Sequence, residues 1–451
     1  MRHYVIIGSG AAGISAAEAI RSRDSTADLT LFGNEGHNYY SRPGLAYYLA
    51  GEVPRNQLFP YTAAYMRSLG MVVRSDSVTR IDPEGHQIQS KNGQPIYFDR
   101  LLIATGATAV RPEVPGSDLK GVVKLDNMDD ADLILSQARR GKTAVVVGGG
   151  ITALEIVEGL MAHQLKVHYF LRGDRYWSNV LDEVESHIIE ERLKKEGVII
   201  HYNTNLVEIL GKGGRVAGVR AKTREDIFDL RCDIAATAIG IRPRKELATS
   251  AGLKTERGIL VNEYLGTCHP DIFAAGDVAQ VYDPSTGEYL VDSLIAPAIE
   301  QGMSAGLNMS GTTTLYKKEV PLNVTRLAGL ITTIIGKVGT EASAAEKGKN
   351  SGDPSYINRG DSETWQRQPD ALLAQNYWGE NRLRLFMSAD RLVGSVIMGD
   401  QKISLAVQYL IRGQVDISGL RVRLLEPGAP LVDLVTRFWE EQARTYAAKI
   451  A

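Results

Sequence analysis

Gly8, Gly10 and Gly13 follow the apolar run Tyr4-Val5-Ile6-Ile7 in G-x-G-x-x-G spacing, a pattern suited to holding a diphosphate. The first glycine permits a tight turn, and the second lets the backbone approach the phosphates. The third lets a helix pack closely on the strand. That helix presents unpaired N–H groups and a positive dipole end to the anion. A second copy starts at Gly148, 140 residues on, in Ala144-Val145-Val146-Val147-Gly148-Gly149-Gly150-Ile151-Thr152-Ala153. Its third position is Ala153, whose methyl sets helix and strand slightly further apart.

Groups at the end of each following strand bear on which dinucleotide is held. In the first copy the strand ends Leu31-Phe32-Gly33-Asn34-Glu35. Glu35 reaches a ribose hydroxyl if the loop curls back, and otherwise is a solvated loop glutamate. In the second copy Leu171 stands where a carboxylate would hold a free 2′-hydroxyl, and Arg172 and Arg175 follow. Guanidinium groups pair with phosphate through planar, charge-assisted hydrogen bonds, which favours NADPH over NADH. The alternative is that both are surface arginines and either nucleotide binds.

These residues need strands and helices to hold them. Each copy reads as strand, glycine turn, helix rich in Ala, Leu and Ile, and a second buried strand, at 29–32 and 166–171. Between the copies lies a β-rich stretch with strands at 77–82 and 96–99 and a turn at Asn92-Gly93, closing on Ala104-Thr105-Gly106. After the second copy come a helix at 182–196, a strand at 198–202 and a hairpin tipped by Gly211-Lys212-Gly213-Gly214. A strand then ends in Ala274-Ala275-Gly276-Asp277, followed by a helix at 294–309. Beyond Pro321 the texture changes to strands such as 383–387 and 392–398. They surround a polar stretch, 346–370, that reads as a surface excursion. A final amphipathic helix at 431–448 docks on this third domain.

Composition narrows the class further. At 451 residues the chain fits two to four domains. With 44% hydrophobic and 23% charged residues it can bury a large core. Lys+Arg 51 against Asp+Glu 53 rules out a broadly basic nucleic-acid binder. Only Cys232 and Cys268 are present, which excludes a disulfide scaffold, an iron–sulfur cluster and a four-cysteine zinc site within the chain. Cysteine usage points to a reducing, cytoplasmic compartment. Neither a secretory leader nor an integral membrane segment is expected.

The sequence resembles the flavoprotein pyridine-nucleotide oxidoreductases with two dinucleotide-binding domains. Four features match in order: the Gly8 motif, Ala104-Thr105-Gly106, the Gly148 motif and Ala274-Ala275-Gly276-Asp277. Gly240-Ile241-Arg242-Pro243 is similar to the family's link back to the flavin domain. The resemblance implies an α/β fold: two Rossmann-like domains, the FAD domain discontinuous, and a smaller α+β C-terminal domain. Its expected boundaries are 1–112 with 243–320 for FAD, 113–242 for NAD(P)H, and 321–451. It implies FAD held by Gly8, Gly10, Gly13, Thr105, Gly106, Gly276 and Asp277, with Glu35 at the ribose. NADPH, or NADH, would lie on Gly148, Gly150, Ile151 and Gly240, near Arg172 and Arg175. Ile151 stands where some members carry a gating tyrosine.

What is missing selects the branch. The thiol-dependent members place a cysteine in the segment that here reads Asn38-Tyr39-Tyr40-Ser41-Arg42-Pro43-Gly44-Leu45, and alignment puts Pro43 in its place. The disulfide reductases also use a C-terminal His–Glu pair, and no histidine follows His269. What remains is similar to the rubredoxin-reductase and nitrite-reductase-like branch. That resemblance implies Arg42 and Pro43 beside the flavin, Glu155 near the nicotinamide, and an Arg42–Glu155 ion pair ordering hydride transfer. The competing readings are a structural contact to FAD phosphate for Arg42 and a helix surface charge for Glu155. The implied reaction passes hydride from NAD(P)H to flavin, then electrons to an external acceptor such as rubredoxin or ferredoxin, without a cysteine relay. A small-molecule acceptor, as in a quinone or oxygen reductase, and a flavin-containing redox sensor or binding protein are the alternatives. The C-terminal domain is the expected contact if the chain forms a homodimer.

Overall fold

The computed structural model describes residues 2–341 and 356–450, with side chains described as far as Gln442. Positions 346–355 of the expected surface excursion lie outside the described residues. The chain forms two compact units. Within the described residues the first takes 2–172, 203–318 and 356–362, and the second takes 173–202, 319–341 and 363–450.

The first unit is built on two parallel sheets. One has the order Ile272–Ala274, Arg100–Ile103, His3–Ile7, Asp28–Phe32, Val72–Arg74. All neighbours run parallel, with Ile7 opposite both Phe32 and Ile103. The order reverses beside His3–Ile7, so the crevice of this sheet opens at the end of that strand, where Gly8 begins the turn. Tyr4, Val5 and Ile6 are fully buried, as a strand covered on both faces requires.

The helices Ala11–Arg23 and Ile295–Met309 pack against each other with glycine at the contact. A Cβ at Gly302 would lie 2.2 Å from the Ala12 carbonyl oxygen, and one at Gly306 would lie 2.5 Å from that of Ala16. Only glycine at these two positions, one turn apart, lets the helices approach so closely.

The second sheet of this unit runs Lys166–Phe170, Thr143–Val147, Ile234–Thr237, Val122–Val123, again parallel. The antiparallel pair Ala107–Ala109 and Ile241–Pro243 joins the two regions, as the Gly240 link implies. A meander, Asn205–Lys212, Arg215–Lys222 and Ile227–Leu230, carries the expected glycine hairpin.

The second unit holds an antiparallel sheet in the order Leu322–Leu327, Leu330–Gly336, Arg391–Met398, Asn381–Ser388, Leu372–Trp378. Helices Ser404–Arg412 and Leu431–Ile450 pack on it. The helix Glu183–Lys195 also belongs here. Its capping box joins Asp182 and Glu185, and the same carboxylates reach Arg382 and Arg384. The Arg384 fork meets Glu185 at 2.8 and 2.7 Å, with both side chains almost wholly buried. That pairing, 199 residues apart in sequence, is what draws the segment 173–202 into this unit.

The described part of the expected excursion is not a surface feature. Ile357, Asp361, Ser362 and Trp365 are buried. Their polar groups are satisfied: Ser362 Oγ donates to Asp292 at 2.5 Å, and Trp365 Nε1 donates to the Pro321 carbonyl at 3.1 Å. Polar composition alone does not expose a segment when partners await it.

Candidate active site

The first glycine turn is shaped by contact rather than by freedom. Gly8 has φ +121°, and a Cβ there would fall 2.0 Å from the Ala104 carbonyl oxygen. A Cβ at Gly13 would fall 1.9 Å from the Gly8 carbonyl oxygen. Gly10 differs. Its φ of −78° is ordinary, it caps helix Ala11–Arg23 without a side-chain bond, and a Cβ there would meet nothing within 4 Å. The open space above Gly10 and the unpaired helix terminus fit the pyrophosphate of a flavin dinucleotide.

The remaining flavin-side residues gather around the same unit. Thr105 Oγ1 donates to the Arg244 carbonyl at 2.8 Å, and Gly106 turns the chain at φ +66°. Gly276, at φ +81°, donates its N–H to Gln301 at 2.8 Å. Asp277 accepts from Ser293 Oγ at 3.0 Å. Burial pushes the Asp277 carboxyl up, while the charge of Arg359, the Ser293 bond and the charge of Arg42 act against it.

Arg42 sits in an arrangement the sequence did not indicate. Its guanidinium pairs with Glu35 and donates to the Asp126 carbonyl at 2.5 Å. The guanidinium carbon lies 5.4 Å from the Tyr40 ring centre, and Tyr40 in turn donates to Glu35 at 2.6 Å. Burial, above all, pushes the Tyr40 phenol well above its ordinary range, so it stays a donor. Arg42 is therefore committed to Glu35 and not to Glu155, and Glu35 is neither solvated nor idle. Pro43 precedes helix Gly44–Leu49 in the cap position.

Asp126 is the centre of charge that sequence reasoning missed. Its carboxylate is buried and pairs with Arg359, with Arg244 at 3.2 Å and with Lys124 at 3.4 Å. Thr108 adds a hydrogen bond at 3.1 Å. Burial would raise this carboxyl, but Arg359, Lys124, Arg244 and Arg42 together hold it down to about 2. Apart from Lys124, two residues away, the cations lie 84, 118 and 233 residues from Asp126, so no local motif marks the cluster. Arg244, immediately after the Gly240 link, was the one positional hint.

The second glycine turn repeats the first. Gly148 has φ +150°, and a Cβ would fall 2.2 Å from the Ala238 carbonyl oxygen. Gly150 caps helix Ile151–Ala162 without a side-chain bond, and Ile151 is buried at its start. Gly150, Thr152, Gly240, Ile241 and Arg359 help line an open pocket. Its mainly apolar lining, beside the glycine turn and the helix N-terminus, fits a nicotinamide nucleotide with the nicotinamide end in the pocket. Glu155 lies three residues beyond Thr152, on the same helix face. Burial, with Glu158 adding to it and Arg359 opposing, pushes the Glu155 carboxyl up to about 7.

The two candidate 2′-phosphate arginines are placed differently. Arg172 is exposed and lies in the unit that holds Gly148. Arg175 lies in the other unit, donating to the Ser178 carbonyl at 3.4 Å and lying 3.3 Å from Asp174. Arg172 is thus the freer of the two to meet a phosphate. Among the described residues no cluster of His, Cys, Asp and Glu has the makings of a metal site.

Comparison with known proteins agrees with this geometry. The profile of the pyridine nucleotide-disulphide oxidoreductase family matches residues 2–302. The ferredoxin–NAD(+) reductase component of the biphenyl dioxygenase system of Paraburkholderia xenovorans is 31% identical over 399 residues, covering 86% of this chain and 92% of its own. The assimilatory nitrate reductase electron transfer subunit of Bacillus subtilis is 25% identical over 431 residues, 94% of this chain, and this chain spans 51% of that relative's length. Among solved structures, the putidaredoxin reductase in its covalent complex with putidaredoxin superposes with a TM-score of 0.81 at 20% identity, over 97% of this chain and 98% of that one.

Proposed function

The chain belongs to the pyridine nucleotide-disulphide oxidoreductase family, and from that premise we propose that it reduces a small electron-carrier protein such as a ferredoxin or rubredoxin without a thiol relay. It is an FAD-dependent NAD(P)H oxidoreductase. Bound FAD supplies the ability to take up a hydride as one electron pair and to release electrons singly.

The protein's own part is to bind, orient and hold charge. Gly8, Gly10 and Gly13 would seat the flavin pyrophosphate, with Thr105, Gly106, Gly276 and Asp277 around the rest of that cofactor. Arg42 and Pro43 would form the turn beside the flavin, with Glu35 keeping Arg42 in place. Gly148, Gly150, Ile151 and Gly240 would seat the nicotinamide nucleotide, and Arg172 would meet a 2′-phosphate with Arg175 nearby in sequence. Glu155, in its ionised form, would order the donor for hydride transfer. In functional terms the first unit would act as an FAD domain, 1–112 with 243–320, and an NAD(P)H domain, 113–242. A third domain, 321–451, would form the contact of a homodimer. Cytoplasmic location is part of the same proposal; among the described residues no helix is long and apolar enough to cross a membrane.

The observation that carries the thiol-free reading is the state of the two cysteines. Cys232 is buried, and burial first, then Asp233, pushes its thiol up to about 12, so it is not a thiolate at neutral pH. Cys268 is exposed, and its Sγ accepts the Lys254 N–H at 3.4 Å. The turn 40–43 has a proline where a thiol would stand. Replacing both, as C232S together with C268S, is expected to leave carrier-linked turnover within about twofold of wild type, since no covalent step is lost. A disulfide reagent should titrate one thiol, Cys268, in the native protein. Loss of turnover in C268S alone would contradict the reading.

The decisive experiment is anaerobic stopped-flow reduction of the holoenzyme by NADPH and NADH in parallel, followed by turnover with carrier protein, soluble quinone or air. The Arg172 argument predicts tighter binding of NADPH by about tenfold, the worth of one charge-assisted contact of about 1.4 kcal/mol. Preference for NADH would overturn it. Turnover fastest with quinone or oxygen would replace the carrier reading. Very slow reduction by both nucleotides would point to a redox sensor.

A further inference from the structure

Segment 356–362 is stitched into the first unit rather than lying over it. Ile357 and Ile241 exchange both backbone hydrogen bonds, at 2.7 and 3.1 Å. Gly360 donates to the Ser293 carbonyl, and Ser293 donates to that of Asp361, each at 3.0 Å. Ser362 closes the far end on buried Asp292 at 2.5 Å. Between these anchors Asn358 packs on the second glycine turn, where a Cβ at Gly150 would lie 3.0 Å from its amide carbon. The next residue, Arg359, enters the pocket lined by Gly150, Thr152 and Gly240.

Arg359 is held on one side only. Its terminal nitrogen pairs with Asp126, while its Nε is buried without a hydrogen-bond partner. Thr152 lines the same pocket, and Glu155 follows one turn later on the same face of that helix. Arg42, the cation expected beside Glu155, is committed to Glu35.

We propose that Arg359 is the positioning cation of the hydride-transfer site, carried by the anchored strap 356–362 into the nicotinamide pocket to face the carboxylate of Glu155. This rests on the reading of that pocket as the nicotinamide site. Arg359 opposes the burial and the Glu158 charge that push the Glu155 carboxyl up, so that about half of it is ionised at neutral pH, and the ionised carboxylate orders the donor. The elements packed against helix Ile151–Ala162 carry Tyr47 and Tyr48 on helix Gly44–Leu49 and Lys166, His168 and Tyr169 on strand Lys166–Phe170, and Glu158 stands on the helix itself. Of these Glu158 pushes the Glu155 carboxyl up, and Arg359 opposes it.

The test is an infrared titration of the oxidised holoenzyme, following the protonated carboxyl band that E155Q removes, with R359Q and R359K alongside. Wild type should titrate near 7. R359Q should move the midpoint upward by about one pH unit, and R359K should restore it. At neutral pH that shift leaves about fivefold less ionised Glu155, and flavin reduction by NADPH should slow in R359Q by the same factor. A midpoint unmoved in R359Q, while E155Q still removes the band, overturns the role of Arg359. If E155Q leaves NADPH binding and flavin reduction at wild-type values, the reading of the pocket fails instead. Thermal unfolding of R359Q as flavin-free protein distinguishes either result from a loss of fold.

Discussion

Protein carrying valine in place of Gly10 is expected to fold and yet to hold almost no flavin. Gly10 has ordinary extended backbone, and a Cβ there meets nothing within 4 Å, so the fold has room for a branched Cβ. What a valine fills is the space above the helix terminus, where the pyrophosphate would lie against free N–H groups. A charge-assisted hydrogen bond contributes about 1.5–3 kcal/mol, so displacing the phosphates from two of them raises the FAD dissociation constant at least about a hundredfold. The loss at the cap itself is smaller: glycine to a β-branched residue there costs about 1 kcal/mol. Flavin content by visible absorbance and thermal unfolding of the flavin-free proteins are the two measurements. Valine at Gly8 or Gly13 gives the contrast. Backbone oxygen stands 2.0 or 1.9 Å from the new Cβ, so these variants should lose fold and flavin together. Wild-type flavin content in G10V would mean that this turn does not hold the cofactor.

That contrast also explains which parts of the molecule were readable from sequence. The two glycine turns are local: strand, turn and helix lie within a dozen residues, and close backbone approach admits only glycine at Gly8 and Gly148. The Gly240 link and the two parallel sheets follow from the same local units. The charge network is different. Arg42 meets Asp126 across 84 residues, Arg244 across 118 and Arg359 across 233. No periodicity records such pairings, because a salt bridge constrains only where two side chains end. For Arg42 the expected partner was Glu155, by position relative to the flavin; Glu35 won because it sits seven residues away on the same loop. The polar stretch before residue 370 misled for a related reason. Polar residues read as exposed until the buried carboxylates that receive them, Asp126 and Asp292, are seen.

Asp126 is where that network is most open to challenge. Replacing it by asparagine leaves the shape but removes the charge shared by Arg359, Arg244 and Lys124, of which Lys124 also pairs with Asp130. Breaking a buried pair by deleting one partner costs about 3–5 kcal/mol, because the remaining charges stay desolvated. D126N should therefore lower the unfolding free energy of the first unit by about that amount at neutral pH. The pH dependence gives a second, sharper signature. The folded carboxyl is held down to about 2, below its ordinary 3.8, so its stabilisation is fully present above the unfolded value. It is lost as pH falls through that interval toward the folded value. The difference between wild type and D126N should accordingly be flat near neutrality and shrink by about 2 kcal/mol between roughly pH 4 and pH 2. Urea unfolding across acidic pH measures it, with far-ultraviolet circular dichroism as the signal. A gap that stays constant to the lowest pH would show that Asp126 is not the titrating group. A gap near zero at neutral pH would mean that the surrounding cations find other partners. The strap carrying Arg359 would then be held by its backbone bonds to Ile241 and Ser293 and by the Ser362–Asp292 bond. R359Q should in that case unfold like wild type while still moving the Glu155 midpoint, which separates what anchors the strap from what it delivers.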